Sequence, residues 1–491
     1  MTPFILSLAL LLTAPEALSL GNNHELFLDD HFIATSENLT RRIMPVEKAV
    51  ENPVLTGDKA WEQQRPLLYG SVVKENGLYR MWYYMPRGVC YAESQDGITW
   101  TKPLMDLVPW EGEPSNILVR ASIDSPGEGP FPWFYELFGV FRDDKDPDPT
   151  RRYKMGYLSI ERPYEGPHMD LFHRGQRRGL GVAGSPDGIH WTNIETFTTD
   201  AIVDGSTHWT YDPEQGRYHL YGRSKRQPEA LDAAWKSDPW YQKHFWGRVV
   251  AHTSSNDFIH WEHSAPDSAP IVMSADLDDA IASEIYGMGV FKYGNQYIGL
   301  VQHFQNRPLD SFLNIQLATS RDGNAFTRVG DRTPFIPNGE VGDWDRFNVA
   351  VANNPPIEEG DELRFYYSDR RYRHDPYEGT DSGPIQGAIG YGTIKRDRFV
   401  AMEGDYTGGI LTTVPFTRAG STIHINGRAN WGEITVEALD STGQKIATAV
   451  PVELDSLDMP LTWDTPLPPP STPIQLRIGV RNGQFYSIWC D

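Results

Sequence analysis

Carboxylate residues recur beside predicted strands at five places along the 491-residue chain, often next to an aromatic residue, as in Tyr135-Glu136. Carboxyl groups gathered in one enclosure raise one another's pKa, so that one keeps its proton while another stays ionised. Such an acid and its ionised partner are what the cleavage of a glycosidic bond requires. The five candidate carboxylates are Glu62, Glu136, Asp204, Glu284 and Asp345.

A repeated segment predicts the strands that must position these carboxylates. The pattern Ser-x-Asp-Gly-x-x-Trp occurs at 94–100, 185–191, 255–261 and 320–326, with Phe258 in place of Gly and Phe326 in place of Trp. Each copy lies between two β-like runs, and Asp-Gly supplies the positive φ of a tight hairpin. Three further strands are predicted upstream of each copy, and a fifth unit lacks the motif. The sequence therefore predicts an all-β fold built on a five-bladed β-propeller.

Alternating antiparallel strands place the connections of this propeller on two rims. Connections from first to second strands are short and polar, as in Glu75-Asn76-Gly77, whereas those from second to third strands are long, as over 223–248. The inner strands begin on the rim with the long connections, which is where recognition is expected. Besides Glu62 and Asp345, the residues predicted to bind substrate there are Arg65, Arg223, Tyr286, His303 and Arg370.

Basic residues gather on this rim, although the chain carries a formal charge of −22. The planar guanidinium group suits carboxylate and sulfate groups, which favours an anionic glycan; ion pairs with the acidic residues are the other interpretation. The aromatic residues of the long third connection leave a similar choice between stacking on sugars and packing the loop. These basic and aromatic residues also include Lys225, Arg226, Arg371, Arg373, Trp235, Trp240, Tyr241, Phe245 and Trp246.

Five blades, the repeated turn and carboxylates at inner-strand starts over about residues 25–403 resemble the glycoside hydrolases that include invertases, fructan hydrolases, arabinanases and β-xylosidases. The resemblance implies three acids in chain order: a base or nucleophile, an orienting Asp and a Glu that donates a proton. Glu136, Asp204 and Glu284 take these places, although the first is Asp in those families. The Asn-Asp-Pro-Asn and Arg-Asp-Pro motifs are absent at the expected places, which indicates a distant member.

The leading hypothesis is a secreted glycoside hydrolase that acts on a plant- or algal-type oligosaccharide or polysaccharide, with Glu136, Asp204 and Glu284 as its catalytic residues. A non-catalytic carbohydrate-binding propeller is the alternative from another class. A sialidase-like enzyme is a third hypothesis, because sialidase propellers carry a related Ser-x-Asp-x-Gly-x-x-Trp turn. The strongly negative chain disfavours nucleic acid as a partner.

The ends of the chain predict its domain boundaries. An apolar run over 4–12, followed by Ala17-Leu18-Ser19, predicts a signal peptide over 1–19, and hence a secreted or periplasmic protein. No later run is long enough to span a bilayer. The propeller is predicted over 20–403, and the alternating strand pattern after Met402 predicts a small β-sandwich over 404–491.

The cysteine and metal-ligand patterns predict neither a zinc site nor any cofactor. Only Cys90 and Cys490 occur, and two buried thiols are expected rather than a disulfide. The many carboxylates would suit a structural Ca²⁺, but no ligand loop of recognisable spacing indicates one.

Overall fold

The computed structural model describes residues 18–86, 88–121, 127–166, 175–202, 204–226, 228–305, 311–370, 373–374 and 387–491. The chain divides into two compact units, a larger one over Ile43–Phe399 and a smaller one that joins residues up to Arg42 with Val400–Asp491. Strands dominate both units, and the all-β prediction is confirmed. The short helical segments are the 3₁₀ turns Ala60–Glu62 and Pro149–Arg151 and the α-helices Glu229–Trp235 and Pro239–His244.

The larger unit contains five antiparallel sheets that follow one another along the chain. Sheet 1 contains Leu67–Glu75, Leu78–Met85, Gly88–Ser94 and Ile117–Arg120. Sheet 2 contains Phe134–Arg142, Tyr153–Glu161, Arg177–Ser185 and Thr192–Thr199. Sheet 3 contains His208–Asp212, Arg217–Ser224, Val249–Ser255 and Ile271–Met273. Sheet 4 contains Ser283–Tyr293, Gln296–Gln305, Phe312–Ser320 and Thr327–Arg328.

Sheet 5 is assembled from both ends of the larger unit. Its later strands are Ala350–Val351, Ile357–Glu359, Glu362–Arg370 and Gly387–Lys395. Its outer edge is formed by two early strands, Glu47–Lys48 and Leu55–Thr56, which pair with Gly387–Lys395. A separate two-stranded ribbon, Met105–Trp110 with Glu113–Ser115, follows sheet 1.

The outer strands of sheets 1, 2, 3 and 5 differ from the predicted ones, whereas Thr327–Arg328 of sheet 4 lies within the predicted range 325–329, directly after its repeated turn. In sheet 1 the residue after the turn makes only a single bridge, Glu93 with Thr101, and Ile117–Arg120 forms the outer strand instead. Trp100 packs edge-on against Tyr366 of sheet 5 rather than continuing along the sheet edge. The expected outer strand of sheet 5, Arg398–Ala401, is likewise replaced by the early strands, since its residues from Val400 onward belong to the smaller unit.

The repeated turns are closed by their own Ser and Asp side chains. In the first copy, Ser94 Oγ accepts a hydrogen bond from Gly97 N at 2.9 Å. Asp96 Oδ1 accepts from Thr99 N at 2.7 Å and from Ile98 N at 2.8 Å. These backbone donors, that of Thr99 first, lower the pKa of Asp96 to about 2. The corresponding carboxylates of the later copies, Asp187, Asp257 and Asp322, accept the same pair of donors.

The turn residue that follows Asp also joins neighbouring sheets. Its carbonyl oxygen accepts a hydrogen bond from an aromatic residue on the second strand of the adjacent sheet, and glycine lets that residue approach closely. At Gly188, where φ is +78°, a Cβ would lie 2.8 Å from Trp82. The three bonds are Trp82 Nε1 to Gly188 O at 2.7 Å, Tyr221 Oη to Gly323 O at 2.8 Å and Tyr366 Oη to Gly97 O at 2.6 Å.

Asn353, which follows the first strand of sheet 5, bonds to three other sheets where their first strands meet. Its side-chain Nδ2 donates to Phe138 O of sheet 2 at 3.4 Å and to Thr207 O, just before sheet 3, at 3.3 Å. Its Oδ1 accepts from Trp209 N of sheet 3 at 3.2 Å. Its backbone N donates to Gly70 O of sheet 1 at 2.7 Å. First strands also touch between sheets 1 and 2, 3 and 4, and 5 and 1, and the third strand of sheet 4 touches the first strand of sheet 5. Since Asn353 bonds both sheets 2 and 3, the series of sheets closes on itself.

The smaller unit contains two larger sheets around one apolar core. One sheet joins Asp455–Pro460, Ile423–Arg428, Gly483–Cys490, Val400–Gly404, Thr40–Ile43 and Glu25–Leu26. The other joins Ile33–Glu37, Gly409–Thr413, Gln475–Arg481, Glu433–Leu439 and Lys445–Thr448. Leu18–Leu20 pairs separately with Phe416–Arg418. The core includes Phe27, Leu411, Ile425, Val436, Ile478 and Phe485.

This unit corrects one predicted boundary. Residues 20–42 were assigned to the propeller, but Ile33–Glu37 pairs with Gly409–Thr413 and Glu25–Leu26 with Gly483–Cys490, so they belong to the smaller unit. Residues 1–17 of the predicted signal peptide lie outside the described residues. Cys90 and Cys490 are both buried free thiols, as predicted. Among the described residues, no helix is both long and apolar enough to cross a membrane.

Candidate active site

The antiparallel pairing brings basic and acidic side chains to one rim of the larger unit. A first strand begins where its neighbouring second strand ends and the third begins, as the pairing of Glu136 with Leu158 and of Leu158 with Leu180 shows. Glu136 lies near the start of a first strand and Arg223 near the end of a second. Arg178 lies near the start of a third strand.

Irregular pairing re-aims two of the first strands at this rim. In sheet 2 the register passes from Phe134–Ser159 to Glu136–Leu158, which leaves Tyr135 without an opposite residue. In sheet 4 it passes from Ile285–His303 to Gly287–Gln302, which leaves Tyr286 unopposed. Extra residues of this kind bend a strand and change the direction of nearby side chains.

Asp204 lies in the connection from sheet 2 to sheet 3 and is held by cations. Its Oδ2 is 3.0 Å from Arg223 Nη1, and its Oδ1 is 3.4 Å from Arg178 Nη1. Gly205 N donates to Oδ1 at 3.0 Å. Burial alone would raise the pKa of Asp204, but Arg223, then Arg178 and Lys225, hold it far below its usual range. Asp204 is therefore ionised in the mildly acidic and neutral range.

Glu136 lies against the residue that follows Asp204. A Cβ on Gly205 would be 2.4 Å from Glu136 Oε1, an oxygen that is buried and has no hydrogen-bond partner in the described part of the chain. Burial, and next the negative charge of Asp204, raise the pKa of Glu136 from 4.5 to about 7, against the opposing effect of Arg223, Arg370 and Arg178. Glu136 therefore keeps its proton up to neutral pH beside an ionised Asp204.

Arg223 connects this pair to Tyr286. The guanidinium is 2% exposed and donates from Nε and Nη2 to Tyr286 O at 2.9 and 2.7 Å. Its Cζ also lies 3.7 Å from the centre of the Tyr286 ring. Tyr286 Oη is 2.7 Å from His374 Nε2. The predicted site residues Glu136, Asp204, Arg223 and Tyr286 are thus neighbours, and Arg370 contributes its charge to Glu136.

Glu284 is placed differently from its predicted role as a proton donor. The side chain is 0% exposed and accepts three hydrogen bonds, from Trp246 N and Arg248 N to Oε1, each at 3.0 Å, and from Arg248 Nη1 to Oε2 at 2.6 Å. These bonds tie both oxygens of Glu284 to the backbone at Trp246 and Arg248 and to the Arg248 guanidinium. In this structure Glu284 orders a loop.

Glu62 and Asp345 each have a partner of their own and do not join the acid pair. Glu62 is buried, with Oε1 2.7 Å from Lys102 Nζ, and accepts from Tyr83 Oη at 2.5 Å. Asp345 Oδ2 is 2.6 Å from Lys48 Nζ and accepts from Tyr367 Oη. The predicted ring of five carboxylates therefore resolves into one coupled pair and three separate ion pairs, which are Glu62 with Lys102, Glu284 with Arg248 and Asp345 with Lys48.

His303 and Arg65, which were also predicted to bind substrate, have partners other than the acid pair. His303 Nε2 is 3.3 Å from Asp279 Oδ1, a carboxylate that also binds Arg328. Arg65 follows the turn Ala60–Glu62, and its backbone N donates to Glu62 O. The chain at Arg65 also lies close to Gly387, since a Cβ on that glycine would be 3.4 Å from the carbonyl carbon of Arg65. The predicted rim residue Arg371 lies outside the described residues.

The site includes residues that the sequence analysis did not single out. Tyr69, on the first strand of sheet 1, lies close enough to Glu136, Tyr286 and Arg370 for their charges to act on its pKa, which burial raises well above its usual range. Arg178 is paired with Asp204, and its position at the start of a third strand on the predicted rim could have identified it. Arg248, the partner of Glu284, directly precedes a third strand in the same way.

No cluster of three or more His, Cys, Asp or Glu side chains within the described ranges is arranged to hold a metal ion. The coupled pair instead offers a proton donor and an ionised carboxylate enclosed by Arg178, Arg223 and Arg370.

Comparison with known proteins finds solved structures that this chain resembles. No protein-family profile and no curated protein matches the chain. An N-acetylgalactosamine deacetylase from F. plautii, solved with blood group B trisaccharide, is 15% identical over 73% of this chain and 96% of that chain, with a TM-score of 0.45. An endo-arabinase from Bacteroides thetaiotaomicron is 13% identical over 72% and 99%, with a TM-score of 0.40.

A family-43 arabinoxylan arabinofuranohydrolase from Bacillus subtilis, solved with cellotetraose, is 12% identical over 91% of this chain and 99% of that chain, with a TM-score of 0.43. Solved structures of glycoside hydrolases are therefore among those that this chain resembles, at low identity, as the sequence predicted. The activity has to be inferred from the site itself.

Proposed function

We propose that this protein is a secreted or periplasmic glycoside hydrolase, and that Glu136 and Asp204 perform its acid and base chemistry. The observation that carries the proposal is the pair itself: two carboxyl groups in one enclosure, one protonated up to about pH 7 and the other ionised. That division of protonation is what glycosidic cleavage needs. The closed series of five sheets supports a five-bladed propeller, and the two sheets of the smaller unit support a β-sandwich.

In the proposed mechanism, the carboxylic acid of Glu136 donates its proton to the glycosidic oxygen as the bond to the sugar breaks. Positive charge then develops on the sugar ring, and the ionised Asp204 stabilises it or assists the attacking water. Arg223 and Arg178 hold Asp204 in its ionised form.

The chain order of roles in this proposal differs from the one implied by the family resemblance. That resemblance gives the proton to Glu284, which here accepts hydrogen bonds from a guanidinium and two backbone N–H groups. Glu136, with a buried oxygen that lacks a partner in the described ranges, is better suited to carry the proton.

The substrate proposed for this site is a plant- or algal-type glycan with an acidic group. Arg178, Arg223 and Lys225 act on Asp204, and Arg370 acts on Glu136, so four cationic side chains surround two carboxyl groups. Guanidinium groups bind the planar carboxylate of a uronic acid or a sulfate ester in a bidentate manner.

The experiment that tests the proposal is hydrolysis of a glycan panel. Purified protein is incubated with pectic, arabinoxylan and sulfated algal poly- and oligosaccharides, and released sugars are measured by anion-exchange chromatography. Glu136→Gln and Asp204→Asn are each expected to reduce kcat by at least about hundredfold, the usual range for loss of acid or base catalysis.

Asp345→Asn is the matched control, because Asp345 belonged to the same predicted ring but pairs with Lys48. It is expected to retain activity, with melting curves measured for all variants. Release of sugar by Glu136→Gln at the wild-type rate would refute the assigned role. Binding of glycans without cleavage by the wild type would favour a carbohydrate-binding protein instead.

A further inference from the structure

The aromatic residues between the second and third strands of sheet 3 divide into two groups in the structure. Trp235 and Tyr241 are buried in a small apolar cluster with Leu231, and Phe245 packs against it. Trp246 is the exception, since 49% of it is exposed. Four aromatic residues of this loop, Trp235, Trp240, Tyr241 and Phe245, therefore belong to the cluster or pack against it, whereas the Trp246 ring is open to solvent.

The backbone that carries the exposed ring is held by buried groups, and two cations lie beside the ring. Trp246 N donates to Glu284 Oε1 at 3.0 Å, and Glu284 is fully buried. Arg248, two residues later, is bound by the same carboxylate through its backbone N and its Nη1. The Arg248 Cζ lies 5.7 Å from the Trp246 ring centre and 5.5 Å from that of Tyr286. A flexible surface tryptophan has no such support.

The same contacts connect Trp246 to the acid pair. Tyr286 lies between Arg248 and Arg223, and Arg223 binds Asp204. Lys225 Nζ lies 5.3 Å from the Trp246 ring centre, and its charge also acts on Asp204. The open indole thus stands beside the charged groups that surround Asp204.

We propose that Trp246 is the platform on which a sugar ring of the substrate stacks, and that Glu284 is its positioning residue rather than a proton donor. An indole offers a broad apolar face to the C–H face of a pyranose, at a small cost in conformational entropy. Glu284 fixes that face by holding the backbone at Trp246 and the guanidinium of Arg248. The proposal deepens the proposed function and rests on it for the identity of the substrate.

The first test is a split between KM and kcat for the glycan that the panel identifies. Trp246→Ala is expected to raise KM about tenfold, equivalent to about 1.4 kcal/mol, with kcat changed less than about threefold. Trp246→Phe is expected to recover most of the loss. Trp431→Ala is the matched control, since Trp431 is 88% exposed and belongs to the smaller unit. An unchanged KM in Trp246→Ala would overturn the platform.

The second test separates positioning from proton donation at Glu284. Glu284→Gln is expected to raise KM, and to add little in the Trp246→Ala background, because residues that act through one contact are not additive. Activity is compared on the natural glycan and on a nitrophenyl glycoside of the released sugar. A loss confined to the natural glycan, with KM unchanged, would identify Glu284 as the proton donor and overturn its positioning role.

Binding measured without turnover separates this inference from the proposed function. Glu136→Gln protein is titrated calorimetrically with the panel oligosaccharides, alone and with Trp246→Ala. Weaker binding in the double variant supports the platform even if the wild type cleaves nothing. Equal binding by the single and double variants overturns the platform even if the wild type is a hydrolase. The platform is also overturned if no oligosaccharide binds to the Glu136→Gln protein.

Discussion

Arg223 binds Asp204 through Nη1 and Oδ2 at 3.0 Å, and the charge of this guanidinium acts on Glu136 as well. This buried cation helps to keep Asp204 ionised. Burial and the negative charge of Asp204 keep the proton on Glu136. The predictions below follow from this relationship and from the contacts that join the sheets.

The pH dependence of kcat/KM is expected to report Glu136. Because its pKa is about 7 and its protonated form is the proposed donor, activity should be constant below about pH 6 and fall as pH rises through 7. Asp204 should add no loss in the mildly acidic range, since its pKa is held far below the usual value. Initial rates between pH 4.5 and 9 test this, and activity that rises through pH 7 would assign Glu136 as a base.

Arg223→Met is expected to change both limbs of that profile. Without the guanidinium, the pKa of Asp204 moves up toward its ordinary range and an acidic limb appears. The pKa of Glu136, which Arg223 lowers, also shifts upward for as long as Asp204 is ionised. Arg217→Met is a suitable control, since that side chain pairs with Glu262 at the opposite end of the same strand. A profile identical to that of the wild type would contradict the coupling.

Glu136→Gln is expected to stabilise the fold in alkaline solution. A folded-state pKa raised from 4.5 to about 7 favours folding below the unfolded value, and this contribution is lost as pH rises through 7, where a buried charge appears. The neutral amide lacks this charge. Its melting temperature should therefore exceed that of the wild type at pH 8.5 by a few degrees, and the gap should shrink at pH 5. A pH-independent difference would indicate a packing effect.

Gly188→Ala is expected to destabilise the larger unit by about 1–3 kcal/mol, because φ is +78° and the new methyl group would meet Trp82 at 2.8 Å. Gly443→Ala, in the smaller unit, is the control: φ is +81° there, but nothing lies within 4 Å. The difference between the two variants in urea unfolding isolates the cost of the contact. Equal losses would show that backbone strain alone accounts for the effect.

Asn353→Ala is expected to cost about 2–4 kcal/mol, since the side chain serves buried groups of two sheets and its removal leaves them unpaired. Asn324→Ala is the control, because its exposed side-chain amide donates locally, to Asp322 O within one repeated turn. Thermal unfolding of both variants tests this, and a loss no larger than that of the control would contradict the connecting role.

The sequence predicted where Glu136 and Asp204 lie better than it predicted the contacts of Glu284. Glu136 and Asp204 could be identified because an antiparallel unit places the start of each inner strand on one rim. The contacts of Glu284 could not, since its partners Trp246 and Arg248 lie 38 and 36 residues away and two of its three bonds come from backbone N–H groups. Residue type gives no sign of such bonds.

The same distinction between local and distant contacts holds for the fold. The Ser-x-Asp-Gly-x-x-Trp turns were predictable because their hydrogen bonds stay within four residues. The outer edge of sheet 5 was not predictable, because Glu47–Lys48 and Leu55–Thr56 pair with residues more than 300 positions later. No local sequence pattern indicates a pairing over that distance.

That outer edge has a consequence for biosynthesis. Residues 47–56 leave the ribosome early, but their partners at Gly387–Lys395 are made last among the strands of the larger unit. Sheet 5 cannot be completed until nearly the whole chain has been synthesised. Long-range pairing of this kind is slow to form. A chain that stops before residue 387 lacks the strand on which those first residues dock, which leaves residues 47–56 without their partners in sheet 5.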